Sequence, residues 1–446
     1  MQVFNVVTFF GPVISNLPMH SFRVFPFLLI KNFTKHTTPV SSLHRVDILV
    51  SENLRSLEMY TTEKNEYKIQ NKAVETILQR INTNYIKMKK KEKKENTAIL
   101  FSVLKEIIKK MRRADKLFDS LKPKLDFLGS YFDGLRVGHP NEYDINVILK
   151  FPINYESIKL SSCNSCHDYT NIIMPSEFRR LAKTPETSNK GFTKTKLWCN
   201  KEYKLSVSKF RSWMQSVVDH ALNTMPLENG MRILVLQHKH KYRILKKISG
   251  PAITLTVIKE DNSAIDVDLV PTFTFKLPKK PVDSKVCFTK VESTNIHTYF
   301  VVPKPNGDDF SWRLTFPFQE RYYLKNNNNL KSVIRLIKHF RDIQGFTKLY
   351  SYFIKTLFLW QCVTKDSSYW TSNCMYYLVF NMLHKLKDSL GNRELRNFWC
   401  PDHNILEKIK PETCKNWYNR LSYILNDIEC KQHSEPNVIL NYFSKH

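Results

Sequence analysis

No stretch of this sequence reaches the roughly 18 consecutive apolar residues needed to span a bilayer. Residues 6–14 and 25–30 are apolar, but Gly11, Pro12, Pro18 and Pro26 interrupt them. No basic residue precedes the first apolar stretch, the first in the chain being Arg23, so a secretory leader is not expected. Residues 1–62 read as a poorly ordered N-terminal extension. A cytoplasmic protein without stable membrane insertion is expected. Acidic residues are the second deficit: 41 Asp and Glu stand against 69 Lys and Arg, a formal charge of +28 over 446 residues. A balance this far from neutral favours polyanionic partners, namely nucleic acid, nucleotides or an acidic membrane face. A paired cysteine framework is also missing. The nine cysteines are odd in number and irregularly spaced, which fits reduced intracellular thiols. No internal repeat is visible.

Hydrophobic content of 42% supplies ample material for cores, and the length exceeds what one compact core usually serves, so two lobes are expected. Cys163-Asn-Ser-Cys166-His167 has the C-x-x-C-H form of haem attachment or of a zinc half-site. No second set of ligands is in view in the sequence, and the segment reads as an inert polar loop.

Between residues 64 and 122 apolar residues recur at helical spacing. Val74, Ile77, Leu78, Ile81, Tyr85 and Met88 form one series, and Ile99, Leu100, Val103, Leu104, Ile107, Ile108 and Met111 a second. The same region carries Lys87, Lys89, Lys90, Lys91, Lys93 and Lys94, then Lys109, Lys110, Arg112, Arg113 and Lys116. One long helix or two in tandem are expected, apolar on one face and basic on the other. The basic face is either a solvated surface or a polyanion-binding ridge. Residues 155–196 are polar and irregular, and residues 197–222 include an amphipathic helix. Two β-like runs, 254–258 and 264–270, are split by Glu260-Asp261-Asn262-Ser263. Residues 278–305 read as a connector with short strands. From Leu324 onward the pattern is mostly helical.

The richest stretch runs from Gly129-Ser130 to Glu142-Tyr143-Asp144, which leads into the apolar residues Ile145, Val147, Ile148 and Leu149. Residues two apart on a strand share a face, so Glu142 and Asp144 point the same way. Paired carboxylates suit a hard cation such as Mg²⁺. Asp266 and Asp268 in I-D-V-D-L-V-P share a face of a later strand, and either could join them. Three such acids could hold two Mg²⁺ ions, which activate a hydroxyl and stabilise a leaving pyrophosphate. Gly129 and the Ser130 hydroxyl suit phosphate binding. This is the minimal apparatus of a nucleotidyltransferase.

The motifs G-S-Y-F-D-G-L-R-V…P-N-E-Y-D-I, G-P-A-I-T-L, V-D-L-V-P, W-R-L-T-F-P-F-Q-E-R and S-Y-F-I-K-T occur in that order. Together they resemble the signature of the cyclic GMP-AMP synthase-like receptors of animals. The resemblance implies an α+β, two-lobed nucleotidyltransferase fold. A core with a mixed β-sheet and a basic spine helix is expected over residues 63–310, and a helical lobe over 311–446. It implies synthesis of cyclic GMP-AMP from ATP and GTP with release of diphosphate, using two Mg²⁺ or Mn²⁺ ions. It selects Asp268, the acid before L-V-P, to complete the metal and catalytic set with Glu142 and Asp144. It gives ATP phosphates to Ser130, the guanine nucleotide to Arg313 and Thr315, and the adenine nucleotide to Glu320 and Lys338. Ser351, Tyr352 and Lys355 are expected to hold a triphosphate and stack on a base.

One departure bears on the activator. The DNA-sensing vertebrate members carry a His and Cys cluster after the W-R-L-S-F motif, which binds zinc and grips duplex DNA. Here that segment, R-Y-Y-L-K-N-N-N-N-L at 321–330, has neither residue type, so no zinc is expected. The chain is more similar to insect-type members, which sense double-stranded RNA. Lys87, Lys90, Lys94, Lys109, Lys110, Arg112 and Arg113 are the expected contacts to that duplex, with an RNA-induced dimer a possible consequence. A basic ridge that reads backbone and shape suits such a ligand.

Overall fold

The computed structural model describes residues 71–163, 167–236, 240–325 and 328–444. The expected N-terminal extension, 1–62, lies outside the described residues, as does Cys166.

The basic element consists of two helices in tandem, not one. Helix Lys72–Ile81 runs into a π-helical turn, Asn82–Ile86, after which the backbone extends at Lys87 and the spine helix Lys90–Ala114 begins. Val74, Ile77, Leu78 and Ile81 are buried on the first helix, and Leu100, Val103, Leu104, Ile107 and Met111 on the second, as their three-and-four spacing requires. Tyr85 does not follow its series: it is 59% exposed, because the wider π turn shifts the phase of the helix there. Asp115 ends the spine helix, and its carboxylate accepts from the Phe118 amide to cap the short helix Lys116–Ser120.

Eleven strands form one sheet. They are β1 Lys124–Leu128, β2 Glu142–Ile148, β3 Lys159–Ser162, β4 Tyr169–Ile173, β5 Leu227–Glu228, β6 Met231–Val235, β7 Lys241–Ser249, β8 Ala252–Ile258, β9 Ala264–Lys276, β10 Thr298–Val302 and β11 Ser311–Thr315. The main path runs β3-β4-β11-β10-β9-β8-β7-β6-β5, with β2 paired to β9 and β1 to β2. Strand β9 is the hub. Its first half lies between β8 and β2, and its second half pairs with β10. The β2–β9 pair is the one parallel ladder between strands among the described residues, and its register sets Glu142 against Asp266 and Asp144 against Asp268. Alternation then places Ile265, Val267 and Leu269 in the core, with Asp266 and Asp268 on the other face.

The region 155–196 contains short elements, namely β3, β4 and the turns Glu177–Lys183, Pro185–Ser188 and Phe192–Leu197. The amphipathic helix expected within 197–222 is Val207–Asn223, and the Ser206 hydroxyl before it accepts from the Lys209 amide. Strands β6 and β7 were not expected; in β7 the long basic side chains of Lys241, Arg243, Lys246 and Lys247 mask the alternation. The expected start of the helical lobe, 311, falls on β11, which pairs with β10 and β4 as part of the sheet.

Trp312 on β11, Phe210, Phe273 and Phe151 form a buried aromatic stack behind the sheet. Full burial stabilises by roughly 3 kcal/mol for each phenylalanine. The helical lobe comprises Asn328–Ile343, Ser351–Thr364, Met375–Gly391 and Pro411–Lys431. Among the described residues no helix is long and apolar enough to cross a membrane, and no described cysteine is disulfide-bonded to another.

Candidate active site

Strand β1 ends at Leu128, opposite Asp144, and the chain turns at Gly129 into the one-turn helix Gly129–Phe132. Only glycine serves at this turn. Its φ is +78°, and a Cβ there would stand 1.7 Å from Asp144 Oδ2. The backbone thus lies directly against the carboxylate of Asp144, four residues before Asp133.

The two aspartates of β9 are held differently. Asp266 accepts from Thr256 Oγ1 and lies 3.3 Å from Lys247 Nζ, so a cation already answers its charge. Asp268 accepts from a neutral hydroxyl, that of Thr254, with Lys247 a more distant charge. Burial raises the Asp144 carboxyl, and the neighbouring charges of Asp268 and Glu142 raise it further, to about 7. Asp268 is also raised, by burial first and then by Glu142 and Asp266, against the Thr254 hydrogen bond. Glu142, Asp144 and Asp268 are thus neighbouring hard oxygen donors whose mutual repulsion is answered only in part, by Arg136 at Glu142 and by the Thr254 hydroxyl at Asp268. Such a donor set fits Mg²⁺ or Mn²⁺. Among the described residues no three His, Cys, Asp or Glu side chains converge closely enough to hold an ion in their present positions.

Arg136 was not singled out from the sequence. One guanidinium nitrogen donates to Glu142 Oε2 and another to Asn141 Oδ1 at 2.5 Å, while Nε donates to the His139 carbonyl at 3.2 Å. The loop 136–142 is also fastened to the spine helix. His139 Nδ1 lies 2.9 Å from Glu92 Oε1, Asn96 Nδ2 donates to the Pro140 carbonyl at 3.0 Å, and the Gly138 amide donates to the Ile86 carbonyl. The Tyr143 hydroxyl also donates to the Pro140 carbonyl.

Three of the expected nucleotide contacts, Glu320, Tyr352 and Lys355, lie in one buried network. Lys355 Nζ is 2.7 Å from Glu320 Oε2 and 3.2 Å from Asp133 Oδ2. Arg321 Nε binds the other oxygen of Asp133 at 2.9 Å, while the Trp399 indole and the Tyr352 hydroxyl donate to Glu320. Burial alone lowers the Lys355 ammonium, but Glu320 and Asp133 outweigh it and the net shift is upward. Burial and then Glu320 raise the Tyr352 hydroxyl. Lys338 is buried and donates to the Leu135 carbonyl, just beyond Ser130, and burial lowers it to about 8. Arg313 on β11 is fixed by Asp168 at 2.9 Å, with Thr315 on the same strand. Ser351 is exposed and accepts from Arg341. Asp133, Arg321 and Trp399 were not expected in the network. The D-G dipeptide after Gly129-Ser130 was the sole trace of Asp133.

The basic residues of the spine divide by partner. Lys109 pairs with Glu106, Arg112 with Asp119, and half-buried Lys110 donates to Thr224. Lys87, Lys90, Lys94 and Arg113 are exposed and form no ion pair among the described residues.

Comparison with known proteins follows this geometry. Residues 131–326 match the Mab-21 protein nucleotidyltransferase domain, and residues 329–423 match the Mab-21 protein HhH/H2TH-like domain. A cyclic GMP-AMP synthase-like receptor of Aethina tumida is 32% identical over 386 residues, covering 83% of this chain and 91% of the relative. Proteins with the same description from Tribolium castaneum and Ctenocephalides felis are 30% and 29% identical. They cover 80% and 84% of this chain, and 89% and 88% of their own lengths.

Proposed function

Since the chain belongs to the cyclic GMP-AMP synthase-like receptors and carries their nucleotidyltransferase domain, we propose that it joins ATP and GTP into cyclic GMP-AMP when double-stranded RNA binds its spine. The observation that carries this reading is the three-acid set. Glu142 and Asp144 stand on β2, and Asp268 is in register with Asp144 on β9, directly beside a glycine turn. Burial and neighbouring acids raise the Asp144 and Asp268 carboxyls, and such crowding is costly unless a cation is to be bound.

Glu142, Asp144 and Asp268 would hold Mg²⁺ or Mn²⁺, which supplies charge neutralisation at the attacking and leaving oxygens. The chain does the rest by positioning. Ser130 and the open backbone at Gly129 admit phosphate oxygens next to Asp144. Lys355 exchanges part of its contact with Glu320 and Asp133 for a triphosphate, and Tyr352 offers a ring to a base. Arg313, preset by Asp168, and Thr315 meet the guanine nucleotide, while Glu320 and Lys338 meet the adenine nucleotide. Exposed Lys87, Lys90, Lys94 and Arg113 meet the RNA backbone, and the 136–142 loop carries the effect to Glu142. The expected cytoplasmic location and an RNA-induced dimer accompany this reading.

The test is to incubate the protein with ATP, GTP, Mn²⁺ and, in separate reactions, duplex RNA, duplex DNA and single strands. Product is identified by mass and selective nuclease digestion. A cyclic product formed with duplex RNA and abolished by Glu142→Gln plus Asp144→Asn is expected. Undiminished product from that variant would overturn the site. Absence of product under every condition would favour a non-catalytic binding paralogue of the same fold, and a nuclease-sensitive product would indicate linear oligonucleotides.

A further inference from the structure

The tip that joins β3 to β4 carries an acid that the sequence did not single out. Asp168 stands immediately before β4, and its carbonyl accepts from the Leu314 amide of β11 at 2.8 Å, so the backbone of the tip is fastened beside Arg313. The Asp168 side chain is largely buried, and its Oδ2 accepts from Arg313 Nε at 2.9 Å. A charge-assisted contact of this kind holds a guanidinium by one edge and leaves its far end to face outward.

Trp312 and Leu314 are buried in the core, so alternation along β11 puts Arg313 and Thr315 together on the other face. The two terminal amino groups of Arg313 have no hydrogen-bond partner among the described residues. Burial opposes the Arg313 charge, and the Asp168 carboxylate leads the interactions that outweigh it. Lys304 stands beside this pair. Burial lowers its ammonium to about 8, the Arg313 charge lowers it further, and Asp168 acts against both. Asp168 is therefore the acid that keeps two neighbouring cations in one place; without it they repel each other.

The helical lobe reaches the same place. The Tyr352 hydroxyl, which donates to Glu320, lies close enough to feel the charges of both Arg313 and Asp168. An aromatic ring, a guanidinium with a free fork and a carboxylate that sets its angle are the elements of a purine-base site. A guanidinium fork matches two acceptors side by side. Guanine presents such a pair in O6 and N7. Adenine presents N7 beside the N6 amine, a donor that meets the donors of the fork.

We propose that Asp168 is a specificity-determining residue for the guanine nucleotide: by holding Arg313 through Nε, it aims the free end of the guanidinium at O6 and N7 of guanine. The inference rests on the reading above that Arg313 meets the guanine nucleotide. Asp168 itself does not touch the base. It is a positioning residue that acts through Arg313. When the carboxylate is lost, Arg313 keeps its charge but is released from one edge and pushed by Lys304. Attraction for phosphate persists, and discrimination between purines falls.

The experiment measures binding to the full chain and does not depend on turnover. GTP, ATP and 7-deaza-GTP, which lacks the N7 acceptor, compete with a fluorescent GTP analogue in the presence of Mn²⁺. Wild type should bind GTP about tenfold more tightly than 7-deaza-GTP. Asp168→Asn keeps the shape of the side chain and removes its charge. It should weaken GTP about tenfold, leave ATP unchanged and erase the difference between GTP and 7-deaza-GTP. Asp168→Glu, which retains the carboxylate, should restore part of the preference. Because Asp168 acts through Arg313, adding Asp168→Asn to Arg313→Ala should weaken GTP by less than about twofold more. Equal weakening of GTP and ATP in Asp168→Asn would overturn the proposal in favour of a structural role, as would losses that multiply in the double variant. Wild type without a preference for GTP over 7-deaza-GTP would overturn it even if cyclic GMP-AMP is made. The expected binding pattern without any dinucleotide product would support Asp168 and overturn the proposed synthesis.

Discussion

The guanidinium of Arg136 donates to the carboxylate of Glu142, the outermost member of the three-acid set. A protein cation thus sits where a metal ion competes for the same oxygen, and its loop is tied through His139 to Glu92 on the spine helix. Replacing Arg136 with Ala removes the competitor. The Mn²⁺ concentration for half-saturation should fall by about fivefold, the equivalent of an exposed ion pair worth about 1 kcal/mol. Calorimetric titration with Mn²⁺ checks it. An unchanged or weaker Mn²⁺ affinity would show that Arg136 supports the site instead.

Asp144 gives the site a pH signature. Its carboxyl is raised from the ordinary value of 3.8 to about 7 in the folded chain. The folded state therefore binds more protons than the unfolded state between those values, and stability falls as pH rises through that window. The contribution is fully present below the unfolded value and is lost as pH passes about 7. Asp144→Asn removes the dependence. In EDTA, thermal unfolding at about pH 8 should show the variant several degrees more stable than wild type, with the gap shrinking at about pH 5. Adding Mn²⁺ should stabilise wild type and not the variant.

Gly129 is constrained twice over, by positive φ and by Asp144 at its back. Gly129→Ala must displace the Asp144 carboxylate or the turn. A misplacement of about 1 Å near reacting groups costs about a hundredfold in rate. Nucleotidyl transfer should fall by that order while far-ultraviolet circular dichroism stays close to wild type. Retained turnover would mean the carboxylate moves aside without consequence.

How much of this was readable beforehand depends on the range of each interaction. The strand period placed Glu142 and Asp144 on one face, because that requires only neighbouring residues. The choice between Asp266 and Asp268 rests on Lys247 and Thr256, from strands β7 and β8, and no local pattern reports it. The resemblance to a family, not residue spacing, selected Asp268. Arg136 was hidden because a charged loop residue looks the same whether it meets water or a catalytic acid. Strand β7, with Lys241, Arg243, Lys246 and Lys247, was hidden because its long basic side chains mask the alternation.

Asp133 ties the glycine turn to the helical lobe, binding both Arg321 and Lys355 while itself buried. Removing one member of a buried ionic group costs about 3 kcal/mol or more, because the remaining charges lose their partner. Asp133→Ala should lower the urea midpoint accordingly. Nucleotide affinity should also change, since Lys355 is then held by Glu320 alone. Asp133→Asn, which keeps the shape and one acceptor, should recover part of the loss. Equal behaviour of the two variants would mean that packing, not charge, is what matters at this position.

The basic spine yields the sharpest contrast between variants of equal charge. Lys87, Lys90 and Lys94 are exposed without an ion pair among the described residues, whereas Lys110 and Arg112 are already engaged with Thr224 and Asp119. Each lysine that neutralises a phosphate releases counterions, so binding weakens with salt in proportion to their number. Substituting Lys87, Lys90 and Lys94 with Ala should make the log–log salt dependence of duplex RNA binding shallower by about 2 to 3. RNA-stimulated product should fall with it, while turnover without RNA is unaffected. Substituting Lys110 and Arg112 should change the slope by less than about 1. Fluorescence anisotropy with a labelled duplex across a salt series separates the two sets. If the engaged pair proved the more sensitive, the RNA surface would run along the far end of the spine, toward Arg113, and the route through Glu92 and His139 to Glu142 would lose its physical basis.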